Sequence, residues 1–229
     1  MTALDDIAKL NDYEAEDIGD ILGTLEKSFA LKFDKNAFEN VKTFGDMCEV
    51  IESHIDYDDV DDCTTQQAFY KIRLAISETK LVDRNFVALD TKLADIFPRH
   101  NRRTQVKLFQ KHLGFKLKFL TYPDWLLLTF LFGLLMSFVT FFFDWKIALS
   151  GIAFFALALK IADLLGKDLE YDTLKDLTEK AAKEHYMALR RSKLTVNRKE
   201  IMPIIVNAFS DGLSIDKENL TPDAKFSWA

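Results

Sequence analysis

WLLLTFLFGLLMSFVTFFF at residues 125–143 and IALSGIAFFALALKIADLL at residues 147–165 stand back to back, with only Asp144, Trp145 and Lys146 between them. The first run carries no charge over its whole length, which at about 1.5 Å per helical residue matches a hydrocarbon core of roughly 30 Å. The second is weaker, because Lys160 and Asp163 fall in its last turns. There a lysine can snorkel toward headgroups and an aspartate can pair with it or reach water. Apolar side chains cover every helical face of the first run, where a globular helix would show a polar stripe. The expectation is a transmembrane hairpin over residues 122–166. A hairpin returns the chain to the side it left, so both polar arms share one compartment.

The flanks support this reading. Tyr122 and Trp125 before the first run, and Trp145 and Lys146 at the turn, are placed as interfacial anchors, and Pro123 with Asp124 supplies a helix start. Between residues 99 and 118 the chain carries Arg99, Arg102, Arg103, Lys107, Lys111, Lys116 and Lys118 and no acidic residue. By the positive-inside bias this basic, membrane-proximal patch is cytoplasmic, and its natural partner is the lipid bilayer. A nucleic-acid partner is not expected, because position beside the first span already accounts for the charge.

Composition fits a protein that is mostly water-exposed. Charged residues make up 29% of the 229, and mean hydropathy is −0.05, too polar for a polytopic protein. The start MTALDDIAKL is acidic and lacks the basic, then apolar, pattern of a secretory leader. Cys48 and Cys63 are too few for a disulfide framework and read as reduced thiols. The expected location is the inner (cytoplasmic) membrane, with soluble arms in the cytoplasm. Residues 1–63 hold 18 acidic and 5 basic side chains, near −13, which leaves the rest near +7 to reach the overall −6. An acidic arm and a basic body are expected to attract one another, or the charge keeps the arm away from anionic lipid; a solvated acidic surface is the alternative.

Outside the hairpin the periodicity is helical. Residues 17–29 place Ile18, Ile21, Leu22, Leu25 and Phe29 on one face, and Thr43 caps TFGDMCEVIESHI with Phe44, Met47, Val50, Ile51 and Ile55 apolar. The acidic string at residues 56–63 reads as a linker. TTQQAFYKIRLAISE is amphipathic, residues 80–98 read as a long ordered loop, and residues 102–113 are helical again, ending at Gly114. Thr173 caps TLKDLTEKAAKEHYMALRR, and Asn197 caps RKEIMPIIVNAFSDGL, with Gly212 as the stop and Pro203 a turn inside. No strand is expected.

Two pairs of segments repeat. AFYKIRLAISETKLVDRNFVALDTKL (68–93) parallels KEIMPIIVNAFSDGLSIDKENLTPDAKF (199–226), and TFGDMCEVIESHI (43–55) parallels TLKDLTEKAAKEHY (173–186). These residues resemble the acyl carrier protein family, whose domains are four-helix bundles. LTPDAKF (220–226) matches that family's loop after the first helix, ALDTKL (88–93) more loosely, and EDIGDILGTLEKSF its second helix. The resemblance implies an all-α protein with two small acyl-carrier-like bundles on one side of the membrane plus a two-helix transmembrane hairpin. Residues 1–55 would be an acidic arm resembling helices two to four, completed by a first helix and loop at 195–229, within one chain or between chains. Residues 64–118 would supply helices one and two of the other bundle, and 168–190 its last helix.

The family's chemistry is not carried over. Its phosphopantetheine is esterified to a serine at the start of the second helix; the matching positions here are Ala15 and Asn101. Ser28 lies at the wrong end of its helix, and Ser227 has no leucine after it. No cofactor is expected. His54, His100, His112 and His185 have no metal-ligand spacing. Asp58, Asp59, Asp61 and Asp62 lack the glycine and the closing glutamate of a calcium loop, and Cys48 falls on the apolar side of its helix. No catalytic residue and no metal site is assigned. The leading expectation is a non-catalytic, membrane-anchored interaction or scaffold protein, binding a protein partner or itself and serving lipid or acyl metabolism. The alternatives are a lipid- or acyl-group-binding protein and a membrane acyltransferase or hydrolase acting through His100 or His112.

Overall fold

A computed structural model describes residues 9–79, 82–141 and 144–229. In chain order its helices are α1 (Ala15–Phe29), α2 (Phe44–Ser53), α3 (Thr64–Glu78), α4 (Leu93–Ile96), α5 (Arg102–Leu113), α6 (Asp124–Thr140), α7 (Trp145–Leu165), α8 (Leu174–Glu184), α9 (Tyr186–Leu189) and α10 (Arg198–Leu213). The chain is therefore mostly helical, and its class is all-α. Among the described residues, four two-residue strands depart from the strandless expectation. β1 (Asp58–Asp59) pairs in parallel with β4 (Thr195–Val196), and β2 (Leu120–Thr121) pairs antiparallel with β3 (Asp168–Leu169). The chain divides into two compact units: unit 1 is Met1–Lys71 with Thr178–Ala229, and unit 2 is Ile72–Leu177. The division falls inside α3 and α8, so the expected boundaries at 64 and 190 do not coincide with it.

In unit 1, α1 turns Ile18, Ile21, Leu25 and Phe29 into a core shared with Phe44, Met47 and Ile51 of α2 and Ile201, Ile205, Phe209 and Leu213 of α10. Burying each such side chain contributes roughly 1.5–3 kcal/mol, so the 3.6-residue spacing dictates which faces meet. Phe44 and Phe209 meet edge to face at 5.1 Å. α10 ends at Ser214, which adopts φ 54°, and not at Gly212. Gly212 instead lets α10 approach α1, since a Cβ there would lie 2.8 Å from Ile21 Cγ1. The helix expected to run from Thr173 past residue 189 breaks at His185. The Tyr186 backbone N–H donates to Ser28 Oγ at 3.3 Å and so leaves the helical ladder.

Residues 56–63 are not a free linker. β1 lies in this stretch, Val60 N–H donates to Val196 O (2.8 Å), and Asp59 Oδ1 accepts from Arg198 N–H (3.0 Å). Asp61 pairs with Lys199 at 2.7 Å, and Asp62 with the buried Arg190 at 2.5 Å.

Unit 2 gathers Ile72, Ile76, Leu93, Ile96, Val106 and Leu113 among its buried residues, with an aromatic cluster of Phe97, Phe109 and Phe119 at ring separations of 5.5, 5.7 and 6.2 Å. The expected loop at 80–98 holds a 3-10 turn (Arg84–Phe86) and α4; positions 80 and 81 lie outside the described residues. Gly114 closes α5 as expected, with φ 89°.

One backbone pattern occurs in both units. In unit 1, around the antiparallel bridge Thr43–Lys225, Phe44 N–H donates to Ala224 O (2.8 Å), Gly45 N–H to Pro222 O (2.9 Å) and Phe226 N–H to Lys42 O (3.2 Å). In unit 2, around the bridge Lys92–Thr173, Leu174 N–H donates to Thr91 O (2.9 Å), Lys175 N–H to Leu89 O (2.8 Å) and Leu93 N–H to Asp172 O (2.9 Å). The donors and acceptors keep the same spacing. The helix that follows is capped in the same way, Thr43 with Asp46 and Thr173 with Asp176.

Candidate membrane-insertion site

α6 starts after Pro123, whose ring leaves no amide to satisfy at the helix start, and runs to Thr140. α7 starts after Asp144, whose Oδ1 accepts from Lys146 N–H at 2.8 Å. The two helices pack along a seam of small residues: Gly133, Ser137, Ala148 and Gly151. A Cβ on Gly133 would run into the Phe155 ring, and one on Gly151 into Ser137 Oγ. Ser137 keeps its hydroxyl satisfied inside its own helix by donating to Gly133 O at 2.9 Å. Small residues let the backbones approach, which is how helices associate where no water is available to drive them together.

The outward faces are the opposite. Phe132, Leu135, Phe138, Phe154 and Leu157 are exposed, Phe154 to 65%. The window Trp145–Ala162 has a mean hydropathy of 1.6, and 6% of it is buried within the chain. α7 is therefore barely buried within this chain, and it is long and apolar enough to cross a membrane. The sequence ranks the first run above the second, whereas among the described residues α6 is the shorter, at Trp125–Thr140, and α7 meets the length on its own. Phe142 and Phe143, the end of the first run, lie outside the described residues, as does the Asp163 side chain.

The foot of the hairpin is clipped shut. Leu120 and Thr121 pair with Leu169 and Asp168, and Glu170 N–H donates to Phe119 O at 3.1 Å. Tyr122 at the first leg is half-buried, Trp125 is 65% exposed, and at the far turn the exposed Trp145 has Lys146 Nζ 5.8 Å above its ring. These four residues, expected as interfacial anchors, stand at the two ends of the helix pair.

The basic patch is not uniform. Arg102 is buried: its Nε donates to Phe97 O (2.6 Å) and its Nη1 to Lys167 O (2.5 Å), tying α5 to the returning strand. Burial, then the Arg99 charge, pull its pKa down from the usual value, with Asp168 opposing. Arg99 pairs with Asp168 at 2.9 Å. Arg102 thus leaves the expected surface patch and is a structural tie. Lys107, Lys111, Lys116 and Lys118 are exposed, and Arg103 is half-buried.

Ala15 is the first residue of α1 and Asn101 the residue before α5; both are exposed at a helix start, and neither carries a hydroxyl. Ser28 is buried, its Oγ donating to Lys183 O at 2.5 Å, and Ser227 donates to Tyr13 O at 2.8 Å. Cys48 is buried, which pushes its thiol up to about 12, and Cys63 is exposed. His112 Nδ1 lies 3.0 Å from Glu78 Oε2, and His54 Nδ1 2.8 Å from Val50 O. Among the described residues no three His, Cys, Asp or Glu side chains are placed to hold a metal ion.

Sequence reasoning missed the polar knot around Arg190. Its guanidinium reaches Asp62, Thr64 Oγ1 (3.0 Å), Thr195 Oγ1 (3.1 Å) and Val60 O (3.5 Å). Beside it Tyr186 Oη donates to Glu200 Oε2 (3.1 Å) and accepts from Asn197 N–H (2.8 Å); burial above all raises the tyrosine's pKa. A cleft of about 310 Å³ opens next to Tyr186 and Glu200, rimmed by Lys183 and Lys199. The acidic string was visible in the sequence, but nothing there distinguished Arg190 from the exposed Arg191.

These features define a mostly helical protein with an apolar, outward-greasy helix pair, one member of which is long enough to span a bilayer. No protein-family model, curated protein or solved structure matches the chain.

Proposed function

We propose that the chain is a non-catalytic, membrane-anchored scaffold. In this reading α6 and α7 cross the bilayer as a hairpin, and the soluble parts of the chain stand on the cytoplasmic side as acyl-carrier-like bundles without the prosthetic group. They serve lipid or acyl metabolism by holding a protein partner. The observation that carries the anchor is the packing of the hairpin, small residues and the Phe155 ring at the seam and most of its large apolar side chains exposed on the outer faces. Support for two related bundles comes from the backbone pattern that joins residues 42–45 to 222–226 and residues 172–175 to 89–93 with the same spacing. In this reading α10 is the first helix of a permuted bundle and arrives last in the chain, and the hairpin interrupts the other bundle between α5 and α8. Ala15 and Asn101 at the second-helix starts are the reason for reading both as non-carriers.

The experiment is membrane fractionation with alkaline extraction, followed by thiol labelling of a Lys146→Cys, Cys63→Ser chain from either side of sealed vesicles. The expected result is retention in the membrane, with the thiol introduced at position 146 labelled only from the side opposite both termini. Release by alkali, or labelling of position 146 from the same side as the termini, defeats the hairpin. Intact mass after treatment with a phosphopantetheinyl transferase is expected to be unchanged; a gain of the prosthetic group defeats the non-carrier reading.

A further inference from the structure

We propose that the exposed face of α5 and the segment leading from it to the hairpin form a contact surface for phosphate-bearing anionic lipids of the leaflet at the hairpin's foot; this rests on the membrane reading above. Residues 116–119 alternate, with Leu117 and Phe119 fully buried and Lys116 and Lys118 exposed. The segment is pinned to α5 by Gln110 Nε2, which donates to Leu117 O at 2.6 Å, and by the Phe109–Phe119 ring contact. On α5 the residues Lys107 and Lys111 are exposed one helical turn apart, while Val106, Phe109 and Leu113 face the core. Two like charges at that spacing weaken a helix in water, a cost that counter-charge relieves.

Distance brings this surface to the headgroups. Four residues separate Phe119 from Asp124, the first residue of α6, so Phe119 stands no more than about 17 Å of extended chain from the start of the apolar helix. The headgroup layer extends roughly 5–7 Å beyond the hydrocarbon, and charges act over about 8–10 Å at ordinary ionic strength. Of the two carboxylates on the returning strand and just after it, Asp168 and Glu170, the first is already paired with Arg99. No carboxylate lies between residues 99 and 118 to neutralise Lys107, Lys111 and Lys116 from within their own stretch. The ligand chemistry is thus a phosphodiester headgroup with net negative charge, held electrostatically and without a pocket, so selectivity is for charge and not for headgroup shape.

The test uses the full chain purified in neutral detergent, with phosphatidylglycerol and phosphatidylcholine titrated in separately and retention read by native mass spectrometry. Phosphatidylglycerol is expected to bind at least about tenfold more tightly, each lysine near the surface contributing up to roughly fivefold before salt screening. K107Q/K111Q/K116Q/K118Q, all at exposed positions, is expected to remove that preference. K27Q/K35Q/K193Q/K217Q, which deletes the same charge from exposed positions of unit 1, is expected to keep it. Circular dichroism confirms that both variants are folded. A chain that inserts but binds both lipids equally, or one whose preference survives the first variant, overturns the proposal and leaves the anchor standing. A preference lost equally in both variants assigns the effect to net charge and also overturns it, as does a dimer that the first variant alone dissociates. A chain that stays in the aqueous phase without detergent overturns anchor and lipid surface together.

Discussion

Phe29, Phe44, Phe209 and Tyr186 fill the core of unit 1, whose α1 turns Glu16, Asp20 and Lys27 to solvent; Gly133, Ser137, Ala148 and Gly151 fill the seam of the hairpin, which turns Phe132, Phe138 and Phe154 outward. In water, transfer of large apolar surface is the dominant driving force, and a core of phenylalanines follows from it. In the proposed bilayer the large side chains of α6 and α7 gain nothing by hiding from a solvent as apolar as themselves, and close backbone approach takes over. One chain thus contains both packing rules, and substitutions at matched residue types separate them.

Phenylalanine deletion separates them most. Phe209→Ala is expected to cost about 3–5 kcal/mol through the cavity it leaves, whereas Phe138→Ala on the hairpin's outer face should stay within about 0.5 kcal/mol. Urea midpoints of the detergent-solubilised chain measure both, and equal losses would remove the distinction. Glycine replacement comes next. Gly133→Val has to displace the Phe155 ring and is expected to cost about 1–3 kcal/mol, read as lowered thermal stability in detergent. Gly23→Ala, in α1 with nothing within 4 Å of its Cβ position, should instead stabilise by about 0.5–1 kcal/mol. If Gly133→Val is neutral, the seam is not held by close approach.

The smallest effect is a pH dependence confined to the water-exposed side of the comparison. Asp46 accepts from the backbone N–H of Lys42 and of Thr43, which holds its carboxyl below the ordinary 3.8. A carboxylate depressed in the folded state stabilises above its unfolded pKa and loses that contribution as pH falls through the folded value. The stability difference between the native chain and Asp46→Asn is therefore expected to be constant near neutrality and to shrink below about pH 4. A difference that does not change down to about pH 2 would mean the cap carries no linkage.

Periodicity made the long helices legible: α1, α2, α3, α5, α8 and α10 fall on runs whose apolar spacing or caps stand in the sequence, with Thr43, Thr173, Asn197 and Gly114 at their expected ends. What was illegible depended on partners far along the chain. Asp62 looks like one acid in a solvated string until Arg190 arrives from 128 positions away. The two-residue strands have no periodicity to display, and Ser214 in a left-handed conformation is invisible beside a glycine two positions earlier. Arg102 reads as one more cation in a basic run, because burial is a property of the fold and not of the run. At the candidate site the apolar runs and their anchors were visible from composition, while the seam was not, since Gly133 and Gly151 acquire meaning only from what faces them.

The core of unit 1 has a consequence for the order of events at the ribosome. Its α1 and α2 come from the first 53 residues, but Tyr186, Ile201, Ile205 and Phe209, which close over them, are made only after both apolar helices. At about 5–20 residues per second the early helices wait roughly 8–30 seconds for their lid. The excess of 18 acidic over 5 basic side chains in the first 63 residues keeps that waiting segment dissolved and repelled from its own kind. Completion of unit 1 thereby becomes a timer that runs out only after the hairpin has been synthesised.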